Sequence, residues 1–462
     1  MMDRKSLFFL ILLIPFANCT IAQTGTETPY SRYGIGELIN SGFARQSSMG
    51  GLGVAYQNGS AVNFSNPASY SGLRISTFET GLRGEMARVS SSEESSNKKG
   101  VLLNYLALGF PVIKDKWGAS FGLIPVSTTG YNLKQAGTVT NPNDTITTDY
   151  TQYYEGKGGL SRFYIGNGIA PFSKSLESFY QSQRYKDLQT AGDSTAINKA
   201  VKWRKLIRGI SVGFNASYLF GNLSNIRKVK YSNSAFINNK IVQGTAYGDF
   251  YFDYGLQYIY QLNDDDRLII GISGAGSTNI KTRKDVLWTL VSSSDFESNI
   301  DTVLMVDNQK GKTLIPTTVN AGFMYQKGEK WLVGAEYAMQ QWSRFKTSGS
   351  SQNLKDTKRI SAGAQYMPTN KLAYRFGLRY AQTYINLQDS RVNDYAISLG
   401  VGLPIRLTST ERRLFDNRTM LHFGVEAGQL GTTNNNLVKQ QYARLYIGIT
   451  ANELWFIKRR YD

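Results

Sequence analysis

From residue 73 onward the chain alternates apolar and polar residues in one stretch after another, each about ten positions long, and none of them is a long apolar run. In the last stretch Ala443, Leu445, Ile447 and Ile449 fall on one side of an extended strand, and Tyr442, Arg444, Tyr446, Gly448 and Thr450 on the other, because neighbouring side chains of a strand point to opposite faces. Residues 210–220 repeat the pattern, with Ile210, Val212, Phe214, Ala216, Tyr218 and Phe220 set against Ser211, Gly213, Asn215 and Ser217. One face suits lipid and the other water. A half-buried strand of a soluble sandwich alternates too, so the weight lies in the number and length of the segments. Together they predict an all-β fold, a transmembrane antiparallel β-barrel.

Outer-membrane barrels join their strands by short turns on the periplasmic side and longer loops outside. Short polar connections at 112–116, 263–266, 326–330 and 368–370 are read as periplasmic turns. Longer polar segments at 134–157, 285–312, 346–355 and 431–437 are read as external loops. Strands threaded between them run over 73–89, 101–112, 117–131, 159–170, 207–231, 246–262, 267–284, 313–325, 331–345, 357–367, 372–385, 392–407, 419–430 and 438–456. That makes about fourteen, an even number that returns both ends of a closed barrel to one side. The first two have no clear inward face. Closure matters because an open edge in hydrocarbon leaves backbone groups unpaired at several kcal/mol each.

The N-terminus reads as a secretory signal over residues 1–22: Arg4 and Lys5 are basic, residues 7–16 are apolar, and Ala22 precedes a cut before Gln23. The chain is therefore expected to be exported. Its single cysteine, Cys19, follows Phe16-Ala17-Asn18, a poor match to a lipoprotein box because Asn18 is not the small residue expected there. With Cys19 removed, the mature chain has no disulfide, thiol nucleophile or thiolate metal site. Past the signal no run approaches the about 18 apolar residues of a spanning helix. A hydrophobic content of 41% does not separate a barrel from a soluble protein, since barrel strands give lipid only every second residue. The 45 glycines and 29 tyrosines suit bending strands and membrane interfaces. The formal charge of +18 is read as solvated loops and ends near anionic headgroups, not as a nucleic-acid site, because an exported chain rarely meets nucleic acid.

The predicted inward faces carry small residues and scattered charge. Gly271, Ser273, Asn320, Gly322, Ser398 and Gly400 leave room, and Glu336, Arg375, Arg379, His422 and Glu426 are the lumenal polar candidates. The lumen must then hold water, a plug or a ligand. His422 is the only histidine, so any histidine-based catalysis or metal site would centre on it. It is read as lumenal packing with Glu426. No phosphate loop, metal motif or haem attachment sequence occurs, and no enzyme activity, cofactor or metal is expected. Residues 171–206 form a long insertion on the side read as periplasmic, with Leu176, Phe179, Tyr180 and Leu188 at roughly helical spacing. A flexible insertion and a short helix docking a periplasmic partner both fit it.

Between the signal and the first strand lie Met49-Gly50-Gly51-Leu52-Gly53-Val54-Ala55 and then Asn63-Phe64-Ser65-Asn66-Pro67-Ala68. This glycine-rich stretch, polar spacer and Asn-Pro-Ala element resemble the FadL-like long-chain fatty-acid transporters of the outer membrane. Leu219-Phe220-Gly221, Pro404 after Gly400-Val401-Gly402-Leu403, and Asn452-Glu453-Leu454-Trp455-Phe456 look like the Bacteroidota branch of that family. The resemblance implies a fourteen-strand barrel whose N-terminal segment folds into the lumen as a hatch, with Gly50, Gly51, Asn63, Asn66, Pro67 and Ala68 as hatch positions. It further implies a lateral gate at a kink in the third strand. Gly122 and Pro125 are the candidates here, since proline within a sheet is confined to edges and bulges. A proline near the outer end of the strand, where pairing has already stopped, explains Pro125 equally well.

The domain layout expected is a signal at 1–22, a hatch at 23–72, a barrel at 73–456 interrupted by the 171–206 insertion, and a periplasmic tail at 457–462. Trp455 and Phe456 serve as the C-terminal barrel signal. The expected function is passive outer-membrane transport of hydrophobic, long-chain fatty-acid-like molecules, with hatch movement and lateral release at the third strand. The rival is a non-transport barrel subunit of a secretion or assembly complex, as the PorV-type barrel is in type IX secretion. Expected partners are a hydrophobic small molecule, outer-membrane lipid, the barrel assembly machinery during biogenesis and, on the rival reading, a periplasmic or membrane protein.

Overall fold

A computed structural model describes residues 27–39, 42–92, 94–140, 146–292, 296, 298–348, 350–368, 372–387, 389–405, 419–434 and 437–453. Fourteen antiparallel strands close into a barrel. They are β1 (Ser76–Ser90), β2 (Ser95–Ile113), β3 (Trp117–Thr140), β4 (Thr147–Ile169), β5 (Ile210–Tyr231) and β6 (Asn238–Gln261). Next come β7, in the two pieces Asp266–Ala275 and Thr278–Val291, and β8, in the pieces Asn299–Ile315 and Thr318–Lys327. The ring continues with β9 (Trp331–Gln340), β10 (Thr357–Tyr366), β11 (Ala373–Leu387), β12 (Ser390–Ile405), β13 (Thr419–Leu430) and β14 (Lys439–Glu453). β14 pairs with β1 from Lys439↔Ser90 to Glu453↔Ser76. That seam leaves no free edge between first and last strands, which is what hydrocarbon demands. Among the described residues no helix is long and apolar enough to cross a membrane.

The alternation read from the sequence is the alternation of exposure. Val212, Phe214 and Tyr218 point out while Ser211, Asn215 and Ser217 are buried inward, and Leu445 and Ile447 point out against buried Arg444 and Tyr446. The first strand also resolves: Phe78, Leu82 and Met86 face out, and Glu79, Arg83 and Glu85 are buried. Outward apolar side chains such as Phe163, Ile270, Phe323 and Leu399 continue this belt round the ring. A lipid-facing surface is the physical use of such a belt.

Two of the predicted external loops are largely strand. β3 and β4 pair out to Thr140↔Thr147, across most of 134–157, and β7 pairs with β8 from Thr278↔Ile315 to Val291↔Asn299, across most of 285–312. Residues 299–305 are exposed at every position, so the chain carries no apolar alternation to read there. In the other direction, strand 331–345 stops at Gln340 and gives way to a tight turn at Trp342–Arg344. The 171–206 insertion is helical: α1 (Ser175–Tyr180), α2 (Gln183–Thr190) and α3 (Ser194–Ile207). Ser182 and Asp193 cap the second and third by accepting from Tyr185 N and Ala196 N. Phe179 alone is buried, with Tyr185 edge-on at 5.4 Å.

Candidate functional site

Residues 28–39 and 42–75 are mostly buried, and their contacts run round the ring. Glu336 of β9 accepts from Gly53 N and Val54 N at 2.8 and 2.9 Å, and Ser398 of β12 accepts from Gly50 N at 3.0 Å. On the opposite wall Asn215 of β5 accepts from the Tyr70 hydroxyl at 3.1 Å and Glu79 of β1 from Val62 N at 3.2 Å. Ser273 of β7 donates to Ser65 O at 2.8 Å. A segment with no ladder of its own needs such partners, because its backbone groups are hidden from water.

The six hatch candidates each have a structural task. Gly50 has φ +70°, and a side chain there would start 2.7 Å from the Leu378 carbonyl, so only glycine fits. Gly51, with φ +84°, closes the preceding helical turn by donating to Gln46 O at 2.8 Å. Asn63 Nδ2 donates to Gly53 O and Tyr56 O, both at 2.7 Å, pinning the glycine-rich stretch to the spacer. Asn66 caps the turn Pro67–Gly72 by accepting from Ala68 N, and its Nδ2 donates to Val54 O at 2.7 Å. Pro67 takes the first position of that turn, where its missing N–H costs nothing. Ala68 is fully buried. The wall makes room for the turn: a side chain at Gly213 of β5 would meet Pro67 at 2.4 Å.

Glu336, Arg375, Arg379, His422 and Glu426 are all buried, and their partners were not legible. Arg45, from the segment, lies 3.6 Å from Glu79 and donates to Tyr56 Oη and Thr450 Oγ1 at 3.1 Å each. His422 does not pack with Glu426: four residues along one strand separates them by about 13 Å. Instead one ring nitrogen lies 3.2 Å from Arg45 Nη2 and 3.0 Å from Thr450 Oγ1, and the other 3.2 Å from Arg375 Nη1. Glu426 belongs to a second cluster. Arg379 grips it with two bonds of 3.0 and 3.1 Å and also reaches Asp394 at 3.1 Å. Arg444 spans Glu426, Glu85 and Glu37 at 3.2, 2.7 and 2.7 Å. Glu37 ties this cluster to the N-terminal segment, and Arg359 at 2.6 Å completes the pairing of Glu336. Arg45, Glu37, Glu79, Arg83 and Glu85 were missed; odd numbering against Phe78, Leu82 and Met86 was the available signal for the last three. Tyr30 donates to Val438 O, and burial pushes its hydroxyl up to about 12, so it stays a donor.

Above Gly51, Phe64 and Ser65, and below Trp342 and Tyr384, a chamber of about 350 Å³ remains. Leu38, Ile39, Leu219 and Ile385 give it apolar walls, and Arg359, Arg379 and Asp394 polar ones. Trp342 stacks on Tyr384 at 4.6 Å over it. Beside the chamber the wall changes. β2 and β3 pair only from Ile113↔Trp117 to Leu106↔Leu123. Pro125 then precedes a register shift against β4, between Pro125↔Ser161 and Ser127↔Leu160, and Ser127 to Tyr131 are consecutively buried, so alternation is lost. The edge freed from β2 is taken from inside by the segment: Glu37↔Thr128 and Leu38↔Ser127 pair, Thr28 N donates to Gly130 O at 2.7 Å, and Ile39 N to Val126 O at 2.9 Å. Gly122 sits in the last paired rungs, where a side chain would meet Leu106 O at 2.3 Å. Its task is close strand approach. Trp455, Phe456, Cys19 and the 1–22 signal lie outside the described residues.

No curated protein matches the sequence. Among solved structures the fold is similar to that of the CymD monoaromatic hydrocarbon channel, at 14% identity over 91% of this chain and 100% of that one, with a TM-score of 0.53. A Pseudomonas aeruginosa FadL homologue matches at 10% identity over 90% and 99%, TM-score 0.53. The P. putida toluene transporter TodX matches at 15% over 91% and 100%, TM-score 0.52. These likenesses establish the FadL-like barrel fold, and a closed barrel with an outward apolar belt is an outer-membrane protein. The BamG family model matches residues 2–178 and 181–462, and the chain belongs to the BamG family.

Proposed function

We propose that this barrel is a passive outer-membrane conduit for small hydrophobic molecules. The observation that carries the reading is the loss of β2–β3 pairing beyond Leu106↔Leu123. Leu82, Met86 and Val101, near that height on β1 and β2, still face outward, so the gap gives the chamber a way into the lipid. Residues 28–39 close it from inside, and residues 23–72 act as the hatch whose displacement joins chamber, gap and membrane. A molecule entering from the long-hairpin end would be desolvated among Leu38, Ile39, Leu219 and Ile385, at about 25 cal/mol per Å² of apolar area. It would leave past Pro125. The fold shared with a monoaromatic hydrocarbon channel and a toluene transporter supports this class of cargo.

The register supplies the test. Leu38 and Ser127 face each other in an antiparallel pair, a spacing that a disulfide can bridge. With Leu38→Cys and Ser127→Cys in liposomes, toluene flux should stop on oxidation and return on reduction. Equal flux in both states sinks the hatch; no flux in either sinks transport.

A second reading, a non-transport subunit of a secretion or assembly complex, is favoured by the ionic anchoring of the segment. Arg45 and Glu37 are each tied into a buried charge cluster, which suits a permanent filling better than a moving one. Mild extraction at native expression discriminates: stoichiometric protein partners support the subunit, and a lone barrel carrying lipid supports the conduit.

A further inference from the structure

We propose that α3 lies on the periplasm-facing surface of the membrane and binds anionic phospholipid headgroups there. The helix carries Lys199, Lys202, Arg204, Lys205 and Arg208 and no acidic residue from Ser194 to Arg208. Its faces divide cleanly. Ile197, Ala200, Val201 and Arg204 are half-buried toward the other helices, with the Arg204 guanidinium 4.1 Å above the Phe179 ring. Lys199, Lys202, Trp203 and Leu206, at offsets of three, four and seven, are exposed on the opposite side, one stripe of a helix. Trp203 is 60% exposed and Leu206 46%. An indole and a leucine between lysines, on a short polar helix, is the composition of an interfacial helix. Among the described residues no carboxylate pairs with Lys199, Lys202, Lys205 or Arg208, so these cations are available.

Position supplies the second argument. The C-terminus of α3 runs directly into β5, and Gly209 O accepts from Ile259 N of β6 at 2.9 Å, which fixes that end at the rim. Six residues of helix put Trp203 within about 9 Å of the rim, inside the headgroup layer that flanks the hydrocarbon on each side. The other end of the insertion is held there too, by Ala170 N donating to Lys116 O at 2.7 Å. Beside it Phe172, Ile169 and Ile113 are exposed, so the patch continues the apolar belt. Each basic residue near an anionic surface adds roughly 1 kcal/mol, about fivefold in occupancy, and the gain is screened by salt. This surface is independent of how the lumen works.

Full-length protein in nanodiscs of phosphatidylcholine alone, or of phosphatidylcholine mixed with phosphatidylglycerol, tests it by deuterium uptake over 194–207. Phosphatidylglycerol should slow uptake at least about fivefold at low salt, with the effect lost at high salt. The triple variant Lys199→Gln, Lys202→Gln, Lys205→Gln should lose the dependence on lipid charge while the strands exchange as before. Emission lost on Trp203→Phe should be the part quenched by brominated lipid. Uptake identical in both lipids, or protection that appears only with a co-purified protein, overturns the proposal; the latter assigns the stripe to a protein partner.

Discussion

Arg444 touches three carboxylates, and they do not depend on it equally. Glu85 keeps Arg83 at 3.1 Å and Glu426 keeps Arg379 at 3.0 Å, whereas Arg444 is the ion-pair partner found for Glu37 among the described residues. Removing one side of a buried pair costs more than the pair is worth, because the other charge stays stranded. Arg444→Leu should therefore cost about 3–5 kcal/mol, read as a lower unfolding midpoint in detergent, and adding Glu37→Gln should recover part of it. Strictly additive losses would show that the two do not interact. Inward charge was legible here, but partnership was not: Glu37 and Arg444 are separated by most of the chain and meet only where the N-terminal segment packs against β14.

At the scale of the element, β3 is two different strands joined at Pro125. Before it, Ala119 to Leu123 pair on both sides and alternate; after it, the edge toward β2 is exchanged for the N-terminal segment. A proline in a strand announces such an edge or bulge, so the break was readable, but that β2 leaves β3 at Leu106↔Leu123, two residues before Pro125, was not. Gly122→Val should push against the Leu106 carbonyl, which backbone geometry cannot yield. A cost of about 1–3 kcal/mol is expected, with faster amide exchange confined to the β2–β3 ladder. Unchanged exchange there would mean that the strands are not held as close as the geometry has them. The full lengths of β3, β4, β7 and β8 were hidden because their outer parts, as at 299–305, do not alternate regularly in exposure.

On the scale of the whole molecule, the closed wall and its filling are separable. The β1–β14 seam and the other ladders make the cylinder, while the N-terminal segment meets it through side chains, glycine contacts and one short backbone pairing of Glu37–Leu38 with β3. A chain lacking residues 27–72 should still fold as a heat-modifiable barrel, yet show a large steady conductance in planar bilayers that the full chain lacks. Equal conductance would mean that the segment does not obstruct the bore.

The sequence by itself determined the wall: period two decides which residues face lipid, and the inward placement of Glu336, Arg375, Arg379, His422 and Glu426 follows from parity alone. The Asn-Pro-Ala and glycine-rich stretches pointed to a hatch only through the resemblance to FadL-like transporters, whereas the turns they make at Gly50, Gly51 and Asn66 are visible in the structure. Only tertiary structure decided what each inward group faces. Partners such as Arg45 and Glu79, or His422 and Arg375, come from different turns of the chain, and the distance between them is set by the diameter and register of the cylinder, a property that no single strand encodes.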